Sequence, residues 1–340
     1  MDEKINILLN KCSFSELLND ENITDISYNG EEIFYMDTYK GRVKYQKNIN
    51  YEEIKNLIRD IANTLDLSFS VSTPIMDVSF MNFRINAIHD SICKKNGNKR
   101  ICFSIRKFST VLKISNNNEF YPEQLDEFLH FILDKKNSIL ITGLPNSGKT
   151  EFQKYLMSLF KNNERLIVID SINELDIKTS CDTTFLIPEK LKFSSIEDLI
   201  KASLRLNPDY IVLAEARGRE FKNVYQSMLT GLSTITTLHS KDCISALNRM
   251  VNLLNDENSR EEEILKNLKQ HIDFIINLGK EDSDFGIKRF IKEVYLLYKE
   301  ELYLIYSNYG KSKFFKLPKN YVNENYSLIR KWMVNEVLYE

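Results

Sequence analysis

Eight consecutive residues, Gly143-Leu144-Pro145-Asn146-Ser147-Gly148-Lys149-Thr150, constrain this chain more than any other stretch. They follow the spacing G-x-x-x-x-G-K-[ST], with the short apolar run Ile139 to Thr142 before them and the amphipathic stretch Glu151 to Phe160 after. That order dictates a strand, a tight loop and a helix. Glycines let backbone N–H groups turn inward, and the new helix presents the positive end of its dipole at the same point. A triphosphate is the ligand this chemistry suits. Gly143, Pro145, Asn146, Ser147 and Gly148 form its cradle, Lys149 reaches the β- and γ-phosphates, and the Thr150 hydroxyl holds Mg²⁺.

At 340 residues the chain has room for two domains with sizeable cores. Residues 1–114 read as α+β. An amphipathic start, Ile5 to Leu18, leads into strand-like runs at 23–30, 32–36 and 42–45, then a helical spacing of Ile54, Leu57, Ile58, Ile61 and Leu65. Alternating segments return at 78–88 and 100–108, joined by a loop at 94–99. Residues 115–121 begin with the polar run Ser115-Asn116-Asn117-Asn118-Glu119 and read as a linker. From 122 to 295 short apolar strands (138–142, 165–170, 210–215, 234–238) alternate with helices, which predicts an α/β domain with a mainly parallel sheet. Residues 296–340 form a C-terminal extension.

Several classes are disfavoured. A net charge of −2 provides no global field for nucleic acid, so none is expected as a partner. No apolar run reaches the ~18 residues of a membrane span. The start Met1-Asp2-Glu3-Lys4 has no basic region followed by an apolar core, so a cytoplasmic location is expected. Five cysteines without a C-x-x-C pair predict reduced thiols and no zinc.

Three further segments carry acids or a histidine at strand ends. Pro208 to Ala214 is an apolar run closed by Glu215, which can polarise water or stand in the second shell of Mg²⁺. Leu166 to Ile169 is followed by Asp170 and, four residues on, Glu174. Thr234 to Leu238 is closed by His239, placed to sense a γ-phosphate by hydrogen bonding.

This ordered set resembles the type II/type IV secretion ATPase superfamily, from its Walker A loop at 143–150 through an Asp box at Asp170 to Leu175 and a Walker B signature from Leu204 to Gly218 to a His box at Thr230 to His239. The N-terminal half is similar too, in Ile23-Thr24-Asp25-Ile26 with Asn29-Gly30, in Arg84-Ile85-Asn86-Ala87 and in Ser104-Ile105-Arg106-Lys107-Phe108. The last of these points to the tight-adherence (Flp) pilus and type IV secretion branch. The resemblance implies a PAS-like N-terminal domain and a RecA-like P-loop ATPase domain, using ATP and Mg²⁺ in a homo-hexamer. Arg84 and Arg106 would supply positive charge at the γ-phosphate across a subunit interface. The ring would act on an inner-membrane platform protein, held at the cytoplasmic face of the membrane through its partners, and would drive pilus-like fibre assembly or protein secretion. Rocking about 115–119 would convert turnover into displacement. The chain departs from the family where Asp170 and Ser171 replace Glu and Asp, Ala214 replaces Gly and Leu232 replaces His. Those departures motivate an alternative, a weakly active nucleotide-binding scaffold that regulates a partner ATPase.

Overall fold

A computed structural model describes residues 2–109, 112–114, 120–188, 195–216, 218, 220–255, 260–283, 286–309 and 312–332. The expected linker residues 115–119, Arg217 and the end of the tail lie outside the described residues. The chain divides into two compact units, Met1–Thr110 with Asp282–Lys288, and Val111–Glu281 with Arg289–Glu340.

The first unit contains α1 (Asp2–Lys11), α2 (Ser15–Asn19), β1 (Ile23–Tyr28), β2 (Ile33–Asp37), β3 (Gly41–Lys44), α3 (Tyr51–Thr64), β4 (Ile75–Phe80), β5 (Phe83–Ile88), the short hairpin β6 (Lys94–Lys95) and β7 (Asn98–Lys99), and β8 (Cys102–Lys107). Its main sheet runs β3-β2-β1-β8-β5-β4, antiparallel at each pairing. Strict alternation decides which side faces the core. On β5, Phe83, Ile85 and Ala87 are buried while Arg84 and Asn86 point the other way, and β8 buries Phe103 and Ile105 against outward Ser104 and Arg106. The buried face packs on α1 and on the Ile54, Leu57, Ile58, Ile61 stripe of α3, whose start is capped by the Asn50 side chain accepting from Glu52 N–H. Segment 78–88, read from the sequence as one alternating run, is a hairpin. Its turn is carried by Met81 at φ +48°, with neither glycine nor proline to mark it. The expected loop at 94–99 is the β6–β7 ribbon turning at Asn96-Gly97.

The second unit follows the predicted alternation: α4 (Glu123–Asp134), β9 (Ile139–Gly143), α5 (Lys149–Ser158), β10 (Arg165–Ile169), β11 (Asp182–Leu186), α6 (Ile196–Ser203) with a 3₁₀ turn at Leu204–Leu206, β12 (Tyr210–Leu213), α7 (Glu220–Leu229), β13 (Ser233–His239), α8 (Cys243–Leu254), α9 (Glu261–His271) and β14 (Phe274–Ser283). It closes with β15 (Gly286–Tyr298), β16 (Glu301–Tyr309), β17 (Ser312–Phe315), α10 (Lys319–Glu324) and α11 (Tyr326–Trp332). The sheet order is β11-β10-β12-β13-β9-β14-β15-β16-β17. The first six strands pair in parallel, and the pairs β15–β16 and β16–β17 are antiparallel. Every residue of β9 and β12 is buried, as a parallel sheet covered on both faces requires. One face packs on α4, α5, α10 and α11, and the other on α6 to α9. Residues past 298 add strands to this same sheet, and β15 itself crosses the expected 295/296 boundary.

Candidate functional site

Parallel alignment fixes the site before any side chain is considered. Strands β10, β12, β13 and β9 are consecutive neighbours, and their register sets Ile169 beside Leu213, Leu213 beside Thr236 and His239 beside Gly143. The loops carrying Asp170 and Glu174, Glu215, His239 and Gly143 to Thr150 therefore leave one carboxyl edge side by side, where ligands bind in open α/β sheets.

The phosphate loop owes its shape to two glycines. A Cβ on Gly143 would collide with Ser147 Oγ and come 2.8 Å from Leu278 O. Gly148 sits at φ +93° as the N-cap of α5, and no side chain caps that helix, so its first N–H groups stay open to an anion. Asn146 takes a left-handed conformation at φ +63°, and Ser147 N–H donates to Leu144 O at 3.2 Å. Leu144, Pro145 and Asn146 are exposed, Ser147 is buried and Thr150 is half-buried on the first turn of α5. The Ser147 hydroxyl is buried without a hydrogen-bond partner, an orphan polar atom inside the cradle.

Lys149 is buried, and its ammonium donates to Gly143 O and Leu144 O, each at 3.1 Å. Its third neighbour is His239 Nδ1 at 3.1 Å, and His239 Nε2 lies 3.1 Å from Glu215 Oε1. A donating ammonium makes Nδ1 the acceptor, which puts the ring proton on Nε2, facing the Glu215 carboxylate. Burial pushes the Lys149 pKa down to about 8, against the pull of Glu215 and Glu174, and Lys280 on β14 pushes it the same way as burial. His239 thus meets Lys149 directly, Glu215 meets His239, and both Glu215 and Glu174 act on Lys149 through space.

Asp170 stands differently from the other acids. It is 3% exposed, and its two oxygens accept from the N–H groups of Ile172 (3.0 Å), Glu174 (2.6 Å) and Leu175 (2.8 Å). This carboxylate folds the loop that carries Glu174. Thr237 and Gln153 brace the neighbouring strands: Thr237 Oγ1 donates to Ala214 O at 2.7 Å, and buried Gln153 Nε2 donates to Leu213 O at 2.9 Å. Gln153 had one sequence signal, a polar residue amid Phe152, Tyr155 and Leu156 on the buried side of α5. Lys280 and Arg289 had none, because only the fold brings them near the loop.

In the first unit, Arg84 and Arg106 are directly opposite each other on β5 and β8. Like charges in that position repel, and each has a carboxylate to offset it. Arg84 makes a bidentate pair with Asp77 (Nε–Oδ1 3.0 Å, Nη2–Oδ2 2.9 Å), and Arg106 Nε meets Asp25 Oδ1 at 2.9 Å. The result is a row of charge across β4, β5, β8 and β1 in which two adjacent arginines are flanked by an aspartate on each side.

Comparison with known proteins agrees with this architecture. The family described as Type II/IV secretion system protein matches residues 75–285, more than half of the chain. An uncharacterized protein of Bacillus anthracis is 32% identical over 289 residues, covering 79% of this chain and 63% of its own length, so the chain spans less than two thirds of that relative. The type IV secretion system protein VirB11 of Bartonella henselae is 23% identical over 333 residues, covering 84% of this chain and 93% of its own. The X-ray structure of the Legionella pneumophila ATPase DotB has the same fold, with a TM-score of 0.64 at 20% identity over 88% of this chain and 82% of that one. With its phosphate loop and strand-end acids on a mainly parallel sheet, the chain belongs to the type II/IV secretion system protein family.

Proposed function

We propose that this chain is an ATPase that hydrolyses ATP as a homo-hexamer to drive secretion or pilus-like fibre assembly. It would act on a membrane platform protein from the cytoplasmic face. The observation that carries the reading is the linked trio Lys149–His239–Glu215 beside an uncapped helix N-terminus. ATP fits this cradle: Lys149 exchanges the Gly143 and Leu144 carbonyls for the β- and γ-phosphates, and the free amides of α5 take the remaining charge. Thr150 and Glu215 are the residues suited to hold Mg²⁺, directly and through water, and the ion would neutralise phosphate charge. Glu215 orients the attacking water, His239 lies where a γ-phosphate can be sensed, and Asp170 holds the Glu174 loop in place. Arg84 and Arg106 serve a neighbouring subunit's site, exchanging Asp77 and Asp25 for phosphate. No described helix is long and apolar enough to cross a membrane, so contact with one would come through partners.

The ring is tested by light scattering of the purified chain with Mg·ATP. Six copies per particle are expected, and a monomer at every concentration contradicts the assembly.

The Lys149 environment gives the pH dependence its sign. Its pKa of about 8 before binding rises when phosphate arrives, so binding takes up a proton. ATP affinity should hold steady to about pH 8 and then fall, by at most about tenfold per pH unit. Titration with a fluorescent ADP analogue in steps from about pH 7 to pH 9.5 checks this. A flat profile contradicts it.

One observation favours the scaffold reading. With both Asp170 oxygens engaged by backbone, Glu174 and Glu215 are the acids left for chemistry at this edge. On that reading nucleotide binds normally and turnover is slow.

A further inference from the structure

Arg289 lies outside every motif in the sequence, yet it bonds to the phosphate loop. Its Nε–H donates to Asn146 O at 2.9 Å, and its Cδ lies 3.5 Å from where a Cβ on Gly148 would stand. The side chain thus lies beside the two left-handed residues of the 144–148 turn, at φ +63° and φ +93°. Glycine and asparagine are the residues that tolerate left-handed backbone best, so the loop can turn at both positions. An outward carbonyl at Asn146 also fixes the other end of the same peptide. The unit is planar and trans, so the Ser147 N–H must point the opposite way, into the loop, where it reaches Leu144 O. That amide belongs to the phosphate cradle.

We propose that Arg289 is a positioning residue for nucleotide binding: by gripping the Asn146 carbonyl it turns the Ser147 amide toward the phosphates and sets the affinity of the loop for a nucleoside triphosphate. The inference rests on the ATPase reading above. Arg289 acts through the loop. It stabilises bound substrate and transition state alike, so it governs KM and leaves kcat nearly alone. Guanidinium geometry matters because the donor is held in a rigid plane; a lysine keeps the charge without that plane.

The test uses the full chain with Arg289→Met, which keeps the stem and deletes the donors, and Arg289→Lys. Binding of a fluorescent ADP analogue and KM and kcat for Mg·ATP are measured beside the melting temperature without nucleotide. For Arg289→Met the expected result is a Kd and KM raised roughly tenfold, the loss of one charge-assisted hydrogen bond, with kcat within about twofold. Arg289→Lys should recover most of the affinity, and the nucleotide-free melting temperature should move by no more than about 2 °C. Wild-type affinity in Arg289→Met overturns the inference, as does a fall in kcat at unchanged KM. If the methionine variant does not fold, Arg289→Lys decides alone: KM raised about threefold supports the proposal, and unchanged KM overturns it. Failure of the wild type to bind nucleotide would overturn the ATPase reading itself, a different outcome from a wild type that binds and an Arg289→Met that binds equally.

Discussion

Lys149→Ala should weaken Mg·ATP binding by roughly 10²–10³-fold while leaving the fold intact. The ammonium is the buried cation of the loop, and its partners in the present arrangement are two backbone carbonyls and a neutral histidine nitrogen. None of these compensates a full charge as a phosphate would. Burial already depresses its pKa to about 8, which means that the folded chain pays to keep it charged. Removing it therefore relieves an unfavourable burial even as it deletes the main phosphate contact, and the two effects separate experimentally. Without nucleotide, the alanine variant should melt at or near the wild-type temperature. With saturating Mg·ATP, the wild type should gain stability by mass action and the variant should gain none. An ATP-induced shift that survives in Lys149→Ala contradicts the assignment of this loop.

Glu215→Gln should have the complementary effect: binding kept, hydrolysis reduced about 10²–10⁴-fold. The substitution conserves volume, and the amide oxygen still accepts from His239 Nε2 at the place of the present 3.1 Å contact. What is lost is the carboxylate charge and with it the ability to draw a proton from water. Because Glu215 also raises the Lys149 pKa, the glutamine variant should lose ATP affinity at a lower pH than the wild type does. An isosteric change at an acid with no part in hydrolysis would leave the rate unchanged. Trapping of unhydrolysed ATP by the variant, assayed after rapid desalting, is the expected signature; full turnover would remove Glu215 from the mechanism.

How far the sequence spoke for the structure varies by element. Strands β9, β10 and β12 were legible because a strand buried on both faces reads as a near-continuous apolar run, β13 because β-branched Ile and Thr fill it, and turn residues bracket each of them. Strand β14 was not, since Phe274 to Leu278 is apolar but for Asn277, and Gly279 to Ser283 carries three charged or polar residues in a row after Lys280 and runs into the first unit's segment. The edge strand β11, with two threonines in five residues and no fully buried position, carries too weak a pattern to stand out. The β4–β5 turn was hidden because Met81, and not the Asn82 beside it, adopts the positive φ, and no glycine or proline marks the place.

At the site, the residues that could be read were those whose chemistry is tied to a local spacing: Lys149 and Thr150 in the loop, Glu215 and His239 at strand ends. Asp170 was legible as an acid, but its engagement with three backbone amides depends on a loop geometry that no spacing encodes. Arg84 and Arg106 were placed on strands by alternation; that they face each other follows from register alone. Arg289 is brought to the loop from β15, 143 positions from Asn146, and nothing local marks it.

The central claim is that the trio Lys149–His239–Glu215 is an ATP-hydrolysing site. Single-turnover hydrolysis measures it most directly, with enzyme in excess over radiolabelled ATP and wild type compared with Glu215→Gln at matched occupancy. Phosphate release by the wild type at least about 10²-fold faster than by the variant is the predicted result. Equal rates, with nucleotide bound in both, would contradict the account and leave a nucleotide-binding scaffold in its place.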